Sequence, residues 1–133
     1  MKYWKGLVSV ACLVMLGVSA AQAQENQFPL DSELILDVAP MRGSKRVPNM
    51  DVAANGAIAL EMWCNRVEGQ IVIAADTVTV LTGPATDRQC SPEQQRGDEE
   101  LLAALSQVAN WRRDGSMLLL VGPRTLRFRI PTN

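Results

Sequence analysis

The chain has 133 residues, 13 basic and 14 acidic side chains, and a formal net charge of −1. That balance argues against a general nucleic-acid binder. The absence of histidine removes the Ser-His and Cys-His nucleophile systems together with the usual zinc sites.

Residues 1–23 read as a secretory signal peptide. Lys2 and Lys5 form a basic n-region, residues 7–18 an apolar h-region, and Ala21-Gln22-Ala23 a small-x-small cleavage site. Cleavage after Ala23 leaves about 110 residues, enough for one domain with a modest core, and a net charge of about −3. No second apolar run reaches bilayer length. Cys12 lies inside the h-region and leaves with it. The preceding Ser9-Val10-Ala11 matches a lipobox poorly. The expectation is a soluble periplasmic or secreted protein.

Residues 24–32 read as a flexible N-terminal arm, polar at first and containing Pro29. The domain proper is expected over 33–131. Residues 33–38 suit a first strand. Residues 41–55, with Pro48, two glycine neighbours and several charges, read as a long loop. From Ala57 the pattern alternates, with Ile58, Leu60 and Met62 on one face. The β-branched runs 70–74 and 77–81 are separated by Ala75-Asp76, a hairpin spacing.

One helix is predicted between Pro92 and Ala109. Ser91 fits the N-cap, Pro92 the first helical position, and Gln94 the capping-box partner. Gly97 weakens the first turn, so the regular helix is expected from Asp98. Asp98, Glu99 and Glu100 then lie at the positive end of its dipole. Leu101, Leu105 and Val108 share the apolar stripe. The chain returns to strands at Trp111-Arg112-Arg113. Asp114-Gly115 is a type I′ turn signal before residues 117–121. In the last strand Leu126, Phe128 and Ile130 face in, while Arg127 and Arg129 face out. Strands, one helix and strands again indicate an α+β fold, a small antiparallel barrel-like sheet with one packed helix.

With Cys12 removed, Cys64 and Cys90 remain as the one intramolecular pair, and an exported domain uses such a pair as a staple. The alternative, a redox-active dithiol, is disfavoured by spacing that is not Cys-x-x-Cys and by the lack of nearby lysine or histidine. A structural disulfide would close a loop of about 27 residues, worth roughly 3.5 kcal/mol in the chain-entropy model.

Cys64-Asn65 followed by Gly69, then Thr86 and Cys90, a helix with a leucine pattern over 101–105 and closing strands over 118–128 together resemble the META domain family, the HslJ-like heat-shock and envelope proteins. Trp63 stands where the family usually has a glycine. The resemblance spans residues 33–130. It implies a β-rich fold with one helix and an envelope role linked to stress or antibiotic tolerance.

No catalytic constellation emerges. Glu61, Glu68 and Asp76 lie on or near strands, but their spacing marks no dyad, and solvated strand-edge residues are the default. Asp98-Glu99-Glu100 lacks the alternating, glycine-turned ligand pattern of a calcium loop. Asn65 is assigned to a backbone bond in its turn, and Trp63 and Trp111 to the core or its edge. Arg112, Arg113, Arg124, Arg127 and Arg129 concentrate charge near the C-terminus. Arg127 and Arg129 form the candidate face for an anionic partner, set against the bland alternative of an ordinary outward sheet face.

The sequence therefore points to a non-enzymatic periplasmic domain that binds a partner, as an envelope stress-response, antibiotic-tolerance or assembly accessory. The partner would be an envelope protein or anionic lipid, with no nucleic acid, cofactor or metal. The alternative is a secreted inhibitor of a hydrolase such as lysozyme, presenting the 41–55 loop to a catalytic cleft.

Overall fold

A computed structural model describes residues 26–132; the segment 1–23 read as a signal peptide lies outside the described residues. Eight strands follow in order: β1 (Ser32–Leu36), β2 (Asn49–Val52), β3 (Ala57–Glu61), β4 (Arg66–Ala74), β5 (Thr77–Thr82), β6 (Asn110–Asp114), β7 (Met117–Val121) and β8 (Leu126–Arg129). One helix, α1 (Pro92–Ser106), falls between β5 and β6. Each strand pairs antiparallel with the next, and β1 pairs with β8, so the sheet closes into a barrel. Among the described residues this is the α+β, barrel-like architecture with a single helix that the element order predicted.

Alternation builds the interior. Leu34, Met50, Leu60, Leu118, Leu120 and Phe128 are fully buried, and Ile58 and Met62 join Leu60 on the inward face of β3 and its continuation. Each such side chain contributes about 1.5–3 kcal/mol by leaving water. Leu126 and Phe128 point inward from β8, Ile130 packs partly against them, and Arg127 and Arg129 are exposed.

β4 is the long strand because it serves two partners. Its first half pairs with β3 and its second with β5, and Gly69 pairs with both Ile58 and Thr82. A Cβ at Gly69 would collide with the carbonyl oxygen of Leu81. Only glycine lets the strand bend there from one sheet neighbour to the next.

The helix starts earlier than Gly97 suggested. Ser91 and Gln94 form the reciprocal capping box, and helical geometry begins at Pro92. Gly97 is tolerated because its bare backbone admits Trp63 and Met41: a Cβ would lie 2.5 Å from Met41 Cε and 2.7 Å from Trp63 Cδ1. Asp98 is therefore not an N-terminal charge in solvent but a residue of the second turn, 5% exposed. Leu101, Ala104, Leu105 and Val108 cover one end of the core as the stripe predicted.

Three local expectations change. The segment 41–55 is not one loop, because β2 occupies Asn49–Val52 and leaves a connection of residues 37–48. The arm is not free of the domain: Phe28 and Pro29 are buried, Phe28 packs edge-on against Trp111 with ring centroids 5.3 Å apart, and Ser32 already belongs to β1. They strengthen the thinnest seam of the barrel, where β5 and β6 share the single register pair Thr77–Asn110. Trp111 completes that seam, donating its N–H to the Asp76 carbonyl (2.9 Å) and its indole N–H to the Ala75 carbonyl (2.8 Å). In the β6–β7 hairpin, Asp114 pairs with Met117, so the two-residue turn is Gly115-Ser116. Only Gly115 has positive φ, +58°, the pattern of a type II′ rather than a type I′ turn.

Candidate functional site

The motif residues converge at the mouth of the β3–β4 hairpin. Cys64 and Cys90 are joined by a disulfide, with Cα atoms 5.8 Å apart. Cys64 is 7% exposed. The bond ties the hairpin to the segment leading into α1. Asn65 Oδ1 accepts from the Thr86 hydroxyl (2.9 Å) and the Arg88 N–H (2.7 Å), and Thr86 Oγ1 accepts from the Arg66 N–H (2.9 Å). Asn65 thus bonds backbone as expected, but on a segment more than 20 residues away rather than within its own turn.

Asp98 closes the arrangement from the helix. Its Oδ1 accepts from the Cys64 N–H (3.0 Å) and its Oδ2 from the Asn65 N–H (2.7 Å). Both oxygens serve strand-end donors that would otherwise be orphaned. The sequence did carry the signal: 98, 101 and 105 follow the i, i+3, i+7 spacing, so Asp98 shares the inward face with Leu101 and Leu105.

Of the carboxylates considered for catalysis, Glu61 and Glu68 meet at the shared Arg66 guanidinium, while Asp76 lies apart. Glu61 pairs with Arg66 (3.3 Å) and Arg88 (3.4 Å), Glu68 reaches Arg66 at 3.6 Å, and Asp76 sits in the β4–β5 turn. Each lines a different surface depression. Among the described residues no group of three or more cysteine, aspartate or glutamate side chains is disposed to hold a metal ion, and no helix is long and apolar enough to cross a membrane.

Two surface features remain. The first is a cleft of about 290 Å³ between α1, β8 and the 37–48 connection. Leu36, Leu101 and Leu126 form its floor, with Trp63 and Met41 beside them. Two ion pairs belong to its lining, Asp37–Arg127 (3.7 Å) and Glu100–Arg124 (4.0 Å). Trp63 is thus a half-buried wall of a cleft rather than part of the barrel interior.

The second feature is the arginine face. Arg127 and Arg129 stand on the outer surface, 58% and 55% exposed, and both reach Asp37 at 3.7 Å. Arg127 also has a structural task. Leu119 points outward from β7 yet is only 8% exposed; its cross-strand neighbours are Arg112 and Arg127, whose aliphatic stems are placed to cover it. Arg112 and Arg124 are likewise exposed, and Arg113 is half-buried.

Two solved structures agree with this architecture. A Burkholderia xenovorans protein solved by NMR superposes over all of both chains with a TM-score of 0.65 at 17% identity. A second protein solved by NMR gives 0.61 at 19% identity, over 75% of this chain and 89% of its own. A DUF4847 family protein from Bacteroides vulgatus gives 0.49 at 17% identity, over 62% of this chain and only 57% of its own length. At these identities the likeness to the two NMR structures is one of fold. No curated protein matches the sequence. The family model described as META domain matches residues 20–130. A match over that much of the chain means that this chain belongs to the META domain family.

Proposed function

We propose that this META domain is a non-enzymatic binding module of the bacterial envelope, an accessory in stress response, antibiotic tolerance or assembly. Export rests on the basic, apolar and small-x-small segments of residues 1–23. The observation that carries the binding reading is the cleft beside α1. It combines an apolar floor, one half-buried tryptophan and paired charges, the mix of greasy surface and a few oriented polar groups that ligand sites use. The residues with chemical potential support the same reading, since Asp98 is committed to backbone donors and Glu61 to two arginines. The hydrolase-inhibitor reading draws less support, because β2 lies within its plugging loop and Met41 packs toward Gly97 and Trp63.

The test is affinity capture from envelope extract on the exported protein, read by mass spectrometry, with Trp63→Ala as comparison after its melting temperature has been recorded. A partner retained by the wild type and lost by a folded Trp63→Ala variant supports the cleft. Reproducible hydrolysis of ester, peptide, glycoside or phosphate substrates that disappears on replacing Glu61, Glu68 or Asp76 would overturn the reading.

A further inference from the structure

Resting on the binding reading above, we propose that the outer face at the β8–β1 seam, together with the 37–48 connection, docks on an anionic phospholipid surface. A groove of about 450 Å³ runs there, lined by Ile35, Val38, Pro40 and Val47 with three cations, Lys45, Arg46 and Arg129, and one carboxylate, Glu33, around them. Val38 is a large apolar side chain left 43% exposed.

The charge is concentrated. Residues 32–48 and 126–129 contain five cations, Arg42, Lys45, Arg46, Arg127 and Arg129, against two carboxylates, Glu33 and Asp37. The chain as a whole is at −1, so the remaining surface is acidic. Outside these segments, Asp51 and Glu68 stand on β2 and β4 on either side of Ala59. A protein polarised in this way meets an anionic plane in one orientation, with the seam inward. Asp37 bridges Arg127 and Arg129 and holds their guanidinium groups side by side. Lys45 and Arg46 are exposed.

Exposed apolar side chains among the cations favour lipid over an acidic protein. Val38 and Pro40 can enter the headgroup boundary while lysine and arginine stay at phosphate level, the arrangement interfacial proteins use. The β4–β5 hairpin lies diametrically across the barrel. Its exposed Val72 and Leu81 have no cation on the facing register positions Thr79 and Gln70, so that side supplies the control.

The experiment is flotation of the exported protein with vesicles of equimolar phosphatidylglycerol and phosphatidylcholine, compared with phosphatidylcholine alone. The expected result is binding to the anionic vesicles only, falling as salt is raised. Lys45→Ser, Arg46→Ser and Arg129→Ser together should lower partitioning on the order of 100-fold, at roughly five-fold per cation near such a surface. Arg127 is left in place because it also lines the cleft beside α1 and stands opposite Leu119. Val38→Asp should weaken binding, whereas Val72→Asp should not. Equal wild-type binding to neutral and anionic vesicles, or an unchanged triple variant with a wild-type melting temperature, overturns the lipid proposal. Loss of a captured envelope protein in the triple variant without any vesicle binding also overturns it, assigning the face to a protein and leaving the binding function standing. Failure of that function is read separately, from the Trp63→Ala capture.

Discussion

Asp98 receives the backbone N–H of Cys64 across a sequence separation of 34 residues, at 3.0 Å, while its second oxygen receives Asn65 at 2.7 Å. A helix carboxylate therefore caps the end of a barrel hairpin. The same two strand-end residues carry the disulfide to Cys90 and the side-chain bonds to Thr86 and Arg88. Three kinds of bond, covalent, charge-assisted and neutral, hold one junction between α1 and the sheet.

Asp98→Ala leaves two donors without their acceptor, the Cys64 N–H buried and the Asn65 N–H half-buried. Charge-assisted bonds contribute about 1.5–3 kcal/mol each, and buried orphans add cost. Asp98→Ala should lower unfolding free energy by about 3 kcal/mol or more, and Asp98→Asn by less, since its amide oxygen still accepts one bond. Denaturant unfolding of the two variants checks the order; equal losses would show that the oxygens do not act as described.

The disulfide should be intact in native protein purified without reductant. Thiol titration under denaturing, non-reducing conditions should find neither Cys64 nor Cys90 free. Replacing both by alanine should cost about 2–4 kcal/mol, the range for disulfides closing loops of this order. Two titratable thiols in the native protein would contradict the staple.

Gly97→Ala is informative because propensity and packing disagree. In an open helix the change stabilises by about 1 kcal/mol. Here the new methyl meets Met41 Cε and Trp63 Cδ1. Met41 can swing aside, but the indole cannot without widening the cleft. A net loss of about 1 kcal/mol is expected, with a red shift in Trp63 fluorescence. A stabilised variant with an unchanged spectrum would remove the close-approach account of this glycine.

Glu33 and Asp51 are direct cross-strand partners on the outer surface. Like charges so placed repel, by an amount comparable to the 0.2–1 kcal/mol of favourable cross-strand pairs (about 0.5 is expected here). Asp51→Asn should raise the melting temperature slightly, and the gain should shrink with added salt. A salt-independent change would point to side-chain packing instead.

Phe128→Ala should cost about 3–5 kcal/mol, because its ring is fully buried. Arg129→Ala, one residue on, should leave the melting temperature nearly unchanged. The contrast is read by thermal unfolding followed by circular dichroism.

Periodicity alone determined much of this protein. Alternation at Ile58, Leu60 and Met62, and at Leu126 and Phe128, set which side chains enter the core, because a strand side chain has only two faces to choose from. Ser91, Pro92 and Gln94 marked the helix start through bonds made within four residues. What the tertiary structure decided was everything that depends on distant partners. β2 lay hidden in a polar stretch, since two of its four residues face solvent and its pairing comes from β1 and β3. Phe28 became core only because Trp111 waits at the thin β5–β6 seam. Asp98 exchanged solvent for two backbone donors, and Gly97 stayed helical to admit Trp63. Cleft and cationic groove alike form where β1, β8 and the 37–48 connection meet. Barrel closure brings those segments together from opposite ends of the domain, and no local rule of spacing encodes a long-range closure.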